Sequence, residues 1–167
     1  MEIILAENHG FCYGVKRAVE MANEAANSDG KSYTLGPIIH NPQVVGRLED
    51  KGVSPVQEVS DIEEGTMIIR SHGVGPAIYE EAEEKGLHIL DATCPHVKKA
   101  QQDAKSVIED GMTLVILGEK NHPEVKSINL WANNKGIIIE DEESAEKLQI
   151  VEKMGVVVQT TFSQFKF

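Results

Sequence analysis

The chain has two cysteines, and both stand where a thiol is activated rather than hidden. Cys12 lies in Gly10-Phe11-Cys12-Tyr13-Gly14 and Cys94 in Asp91-Ala92-Thr93-Cys94-Pro95. Each follows a short apolar run that reads as a buried strand, and each precedes an amphipathic helical pattern. A thiol at a helix N-terminus meets the positive end of the helix dipole and free backbone N–H groups, which favour the thiolate. Two sulfurs prepared alike point to shared chemistry, a metal or an iron–sulfur cluster. An inert core cysteine sits on an apolar face, whereas these two occupy turns flanked by glycine or proline.

Three histidines fall at equivalent places. His40 follows Leu35-Gly36-Pro37-Ile38-Ile39 and precedes the helix start Asn41-Pro42. His72 lies in Arg70-Ser71-His72-Gly73, directly after Met67-Ile68-Ile69, and His122 in Asn121-His122-Pro123-Glu124, soon after Val115-Ile116-Leu117. Thr160-Thr161 follow Val156-Val157-Val158. Ligands of open α/β sheets bind outside the carboxyl ends of the strands, so these turns are expected to share the face that carries the thiols. Imidazoles and helix N-termini together suit a phosphate. Glu124 reads either as a first-turn carboxylate favoured by the helix dipole or as a proton carrier beside His122. Thr160 reads as a β-branched strand residue or as part of the same site. Arg70 and Lys120 read as surface charges, and His9, His88 and His96 as structural. A zinc site from Cys12, Cys94 and two histidines is chemically permissible, but the close Cys-x-x-Cys pairing of structural zinc sites is lacking. There is no Walker A loop and no Gly-x-Gly-x-x-Gly fingerprint.

The elements that must position these residues alternate along the 167 residues. Strands are expected at 3–6, 32–35, 66–69, 88–90, 113–117, 136–139 and 156–159. Helices are expected after each thiol, after Asn41, over 76–85, from Pro123 and near 144–148. Alternating strands and helices mean βαβ units and mostly parallel sheets. Strand, thiol-bearing turn and helix occur twice, so the chain reads as tandem small three-layer α/β domains. The first is 1–94, with Cys12, His40, His72 and Cys94; the second is 95–167, with His122, Glu124 and Thr160. Three of the four phenylalanines fall among the last six residues, where a helix burying them should begin, so the chain reads as cut within a larger protein. The net charge of −11 argues against nucleic acid or an anionic membrane as partner. With no uncharged run of membrane-spanning length and no signal-peptide pattern, a cytoplasmic protein with reduced thiols is expected.

Taken together, these stretches resemble one family: hydroxymethylbutenyl diphosphate reductase, the LytB or IspH iron–sulfur enzymes that end the methylerythritol phosphate route to isoprenoids. The resemblance rests on Gly10-Phe11-Cys12 with Gly14-Val15 and Arg17-Ala18, His40-Asn41, Ser71-His72-Gly73-Val74, Asp91-Ala92-Thr93-Cys94-Pro95, His122-Pro123-Glu124-Val125 and Gln159-Thr160-Thr161. It implies that Cys12 and Cys94 are two of three cysteine ligands to a 4Fe–4S cluster. It implies that His40, His72 and His122 hold the substrate diphosphate, that Glu124 relays protons, and that Thr160 hydrogen-bonds within that relay and to the substrate hydroxyl. The fold implied is a trefoil of three α/β domains around a central cavity. This chain matches the first two; the third domain, with its cysteine and the Ser and Asn of the diphosphate pocket, is absent. The expected function is that of a fragment of a reductase that removes an allylic hydroxyl to give isopentenyl and dimethylallyl diphosphate. Reduced ferredoxin or flavodoxin would supply electrons, and the isolated chain is expected to be inactive. Two alternatives stand beside it: a zinc-dependent hydrolase of a phosphorylated substrate, and a non-catalytic anion-binding α/β module.

Overall fold

Strand formation begins at Ser32 rather than at the N-terminus. The computed structural model describes residues 2–7, 9–28, 30–149 and 152–163. In it β1 (Ser32–Leu35), β2 (Val53–Val56), β3 (Thr66–Ile69) and β4 (His88–Asp91) form one sheet in the order β2-β1-β3-β4, every neighbour parallel. Because successive side chains on a strand point to opposite faces, the centre of β3 feeds two cores. Ile68 packs with Ala18, Ala22, Leu48 and Val53 beneath α1 (Tyr13–Ala26) and α2 (Pro42–Glu49). Met67 and Ile69 pack with Ile62, Val74, Ala82 and Leu87 beneath α3 (Pro76–Glu84). The result is a three-layer α/β arrangement whose parallel strands are buried on both faces.

A second parallel sheet, in the order β6-β5-β7, is built from β5 (Thr113–Leu117), β6 (Ile137–Ile139) and β7 (Met154–Val158). Leu114 and Ile116 of β5 and Val157 of β7 pack with Ala100 and Ala104 of α4 (Pro95–Glu109) and with Val125 and Ile128 of α5 (Pro123–Trp131). The short α6 (Glu142–Glu146) is capped by Asp141, which accepts from the Ser144 amide at 2.8 Å. No helix among the described residues is long and apolar enough to cross a membrane.

The strand expected at Ile3 to Ala6 does not form. Ile3, Ile4 and Leu5 are 75%, 82% and 76% exposed, and neither sheet pairs with them among the described residues. An apolar run supplies strand propensity, but the backbone donors of a strand need a neighbouring strand to answer them. The two thiol turns are therefore unlike: Cys94 follows a paired strand, Cys12 an exposed segment. In turn β2 had no counterpart in the sequence reading, because Ser54-Pro55 interrupts its apolar pattern. As an edge strand it tolerates the proline, which has no N–H to offer a further neighbour. The helix expected to bury Phe165 and Phe167 falls outside the described residues.

This placement predicts a sharp contrast in stability. Ile68→Ala should cost about 2–5 kcal/mol by urea denaturation, the range for emptying a fully buried site. Ile4→Ser should change stability by less than about 0.5 kcal/mol. A large loss from Ile4→Ser would show that the segment is packed after all.

Candidate functional site

The carboxyl ends of the strands carry the site. Beyond β1, Ile38 and Ile39 are buried in the core under α1 and α2, which leaves His40 at the rim. Asn41 caps α2 by accepting from the Val44 amide at 3.1 Å, with Pro42 in the first turn. Beyond β3, Ser71 is buried and donates both its amide and its hydroxyl to the Ile38 carbonyl, each at 3.4 Å. That bond ties the His72 loop to the His40 loop, and the two ring centroids lie 4.7 Å apart. His122 caps α5, its Nδ1 accepting from the Glu124 amide at 3.2 Å. An accepting Nδ1 places the proton of neutral His122 on Nε2, leaving that N–H free to donate.

Nitrogens of all three rings lie within 4.8 Å of one another. The His122 centroid stands 6.1 Å from that of His40 and 5.4 Å from that of His72. His72 is half-buried, and its Nδ1 has no hydrogen-bond partner among the described residues. Burial, reinforced by His40, His122 and Arg70, pushes the His72 imidazole down to about 4, so it is neutral at pH 7. Three imidazoles at this spacing can hold a divalent cation or an anion. The surroundings favour the anion. The N-termini of α2 and α5 both open here, and each presents positive partial charge. Arg70, read from sequence as a surface charge, is instead partly buried, its guanidinium packed over bare Gly36. Desolvation there lowers its affinity for its proton.

Behind His122 sits a buried carboxylate. Glu124 is 1% exposed, accepting from the Thr160 amide at Oε1 (2.6 Å) and from the Thr160 hydroxyl at Oε2 (2.9 Å). Thr160 lies just past β7, and Gln159 locks that strand end in place. Its amide donates to the Leu117 carbonyl at 2.8 Å and its side-chain oxygen accepts from the Glu119 amide at 2.9 Å.

The thiols cap two helices without hydrogen-bonding to them: Cys12 begins α1 and is exposed, and Cys94 begins α4 and is half-buried. Cys94 Sγ rests against Gly14, where an added Cβ would lie 2.5 Å from the sulfur. Only glycine lets the Cys94 thiol come this close to the first turn of α1. Arg17, one turn along α1, donates to the Thr93 carbonyl at 3.2 Å and to the Asp91 carbonyl at 3.4 Å. The Cys94 amide in turn donates to the Ser71 carbonyl at 2.9 Å. The Cys94 turn and the His72 and His40 loops thus belong to one hydrogen-bonded group, to which Arg17 ties α1. Asp91, unmarked by the sequence reading, braces it. Burial alone would raise its carboxyl, but Lys98 at 2.6 Å and the Thr93 amide at 2.9 Å outweigh that and hold it below its ordinary range.

The arrangement has close relatives. The family model described as LytB protein matches residues 3–167. The 4-hydroxy-3-methylbut-2-enyl diphosphate reductase of Geobacter metallireducens is 51% identical over 98% of this chain, and its counterpart in Geotalea daltonii is 52% identical over the same share. This chain spans 58% of the length of each. A solved (E)-4-hydroxy-3-methyl-but-2-enyl diphosphate reductase, the terminal enzyme of the non-mevalonate pathway, superposes with a TM-score of 0.85 at 46% identity, over 98% of this chain and 59% of its own. The E-1-hydroxy-2-methyl-but-2-enyl-4-diphosphate reductase of Plasmodium falciparum superposes with a TM-score of 0.90 at 31% identity, over 96% of this chain and 52% of its own.

The buried imidazole has a consequence for stability. Folded His72 takes up its proton near pH 4, whereas the unfolded chain takes one up near the ordinary 6.5. Between those values the unfolded state holds more protons, so the stability contributed by neutral His72 is complete above pH 6.5 and is lost as pH falls towards 4. Relative to wild type, His72→Phe should flatten the pH dependence of the urea midpoint in that window. The difference should amount to about 1–2 kcal/mol after discounting for partial exposure. Parallel pH profiles for the two proteins would contradict a neutral His72.

Proposed function

The chain belongs to the LytB family, and on that premise we propose that it forms the cluster-binding and diphosphate-binding part of a 4-hydroxy-3-methylbut-2-enyl diphosphate reductase. The observation that carries this reading is the triad of His40, His72 and His122, with nitrogens within 4.8 Å, set beside the buried Glu124–Thr160 pair. The proposed division is into tandem domains, 1–94 and 95–167. A third domain would supply the third cysteine and the Ser and Asn residues of the diphosphate pocket, closing a trefoil around a central cavity. The proposed setting is the cytoplasm, with reduced ferredoxin or flavodoxin as electron donor.

The residues fit a 4Fe–4S cluster as far as two ligands go. Cys12 and Cys94 are free thiols at helix N-termini, and the Cys94 sulfur rests against bare Gly14, two residues after Cys12. When bound, such a cluster supplies electrons and a Lewis-acidic iron to the substrate hydroxyl. The protein's own part is binding and proton handling. The imidazoles donate N–H groups to the diphosphate oxygens, His122 through Nε2. When Glu124 is protonated it donates from Oε2 to Thr160 Oγ1, and the threonine proton is then free to point at the substrate oxygen. A proton passes along this line as the carbon–oxygen bond breaks. Overall, two electrons and two protons convert the allylic alcohol to water and an isoprenyl diphosphate, protonated at either end of the allyl unit.

The test has two arms. After anaerobic incubation with iron and sulfide, the present chain should hold iron poorly and lose it in air. Cys12→Ser or Cys94→Ser should abolish what remains. Stoichiometric zinc in its place would favour a zinc hydrolase, and no metal at all an anion-binding module. In the chain completed with a relative's remaining residues, Phe at any one histidine should weaken diphosphate affinity tenfold to a hundredfold, about 1.5–3 kcal/mol, and leave the cluster spectrum intact. There Glu124→Gln should lower turnover by at least about a hundredfold with folding and cluster unchanged. Near-normal turnover would return Glu124 to a helix-dipole role.

A further inference from the structure

Beneath the site lies a buried polar cluster that neither the thiols nor the imidazoles explain. Gln101 of α4 and Ser127 of α5 are 3% and 2% exposed. Gln101 Nε2 donates to Ser127 Oγ at 2.5 Å, and Ser127 Oγ donates to the Val74 carbonyl at 3.5 Å. Trp131 of α5 donates its Nε1 to the same carbonyl at 2.9 Å. Gly73, the residue after His72, is bare where this cluster presses on it. A Cβ there would lie 3.0 Å from Ser127 Oγ and 3.0 Å from the Thr93 methyl, and would meet the Gln101 amide more closely still.

Each member belongs to an element that bears a different functional side chain. Gln101 lies about two turns along the helix that Cys94 opens, and Ser127 one turn along the helix opened by His122 and Glu124. Val74 and Gly73 belong to the loop that carries His72. Helix packing alone leaves small sliding motions open, because apolar contacts are not directional. A buried hydrogen bond is directional, and breaking it strands a desolvated donor. From this geometry we propose that Ser127 and Gln101 are positioning residues. Ser127's contact with the Val74 carbonyl, held by Gln101, sets the place of His72 relative to His122 and Cys94, and so shapes the pocket for a diphosphate. The proposal rests on the diphosphate reading of the triad.

Ser127→Ala removes the Ser127 bond to the Val74 carbonyl and Gln101→Met the bond that holds Ser127, each keeping the core filled while the Trp131 bond stays, so either decides the matter if the other fails to fold. Val157→Ala is the control: it destabilises the second sheet's core without touching the tie. Two quantities are read on the present chain, the His72 titration midpoint by imidazole NMR and pyrophosphate affinity by calorimetry. In Ser127→Ala the His72 midpoint should rise by at least about one pH unit from its depressed value, as water enters and the rings separate. Pyrophosphate affinity should fall at least tenfold, and Val157→Ala, at equal loss of thermal stability, should change neither. A His72 midpoint unmoved in both tie variants overturns the proposal. So does a loss of affinity that Val157→Ala reproduces. If the wild-type chain binds no pyrophosphate, affinity is read in the chain completed with a relative's remaining residues, where failure to bind overturns the diphosphate reading, while the His72 midpoint still decides whether the tie positions the ring.

Discussion

A carboxylate buried to 1% exposure is costly to keep, and Glu124 is held by one residue from another strand. Taking such a group out of water costs several kcal/mol unless its oxygens are answered. Thr160 answers both, one through its amide and one through its hydroxyl. For that, the end of β7 must lie against the first turn of α5, which requires β7 beside β5 in parallel. It also requires a close approach at Gly118, where a Cβ would lie within 2.8 Å of Val125 and Gln159 side-chain atoms. The same turn of α5 fixes His122, since the Glu124 amide is the donor that its Nδ1 accepts. The carboxylate and the imidazole are placed by a single decision about where α5 begins.

Electrostatics work against the rest of the molecule. A chain of net charge −11 repels an anion at long range, so an anion site must overcome that field locally. It does so with groups that cost little when empty. Two helix N-termini carry partial positive charge with no ion to desolvate, and His72 stays neutral at pH 7 because burial and its neighbours push it down to about 4. A pocket lined with permanent cations would strain against itself. The neutral His72 adds no such repulsion while the site is empty, yet can donate an N–H when an anion arrives.

Much of this was legible in the residues. Apolar triads such as Met67-Ile68-Ile69 and Leu114-Val115-Ile116 announce buried parallel strands, and Gly and Pro punctuate the helices between them. The histidines were identifiable because each follows such a strand, where α/β sheets place their ligands. Apolar periodicity failed where strand pairing decides. Ile3 to Leu5 have the composition of a strand but no partner, whereas Val53 to Val56 have a partner despite Pro55. Arg70 was misread because a charged residue beside a turn looks solvated, and only the fold puts a bare glycine under its guanidinium. Gln101 and Ser127 left no signal, since one polar residue on a helix reads as surface until the facing element is known.

The ties between loops run through the backbone of residues adjacent to the functional ones. The Ile38 carbonyl, two residues before His40, accepts from Ser71; the Ser71 carbonyl accepts from the Cys94 amide; the Val74 carbonyl, two residues after His72, accepts from Trp131. The first two continue the parallel ladder past its end, where strand donors and acceptors run out and must be answered by loops, and the third is a side-chain bond from α5. The His40 and His72 loops and the Cys94 turn are thereby fixed to one another through main chain, leaving their side chains free to meet a ligand. Such a site is assembled before the ligand binds, so binding energy is not consumed in ordering its loops. The arrangement also explains why chemistry collects at this edge of the fold. The same unsatisfied strand ends that require bracing bring Cys94, His72 and the end of β1 within reach of each other.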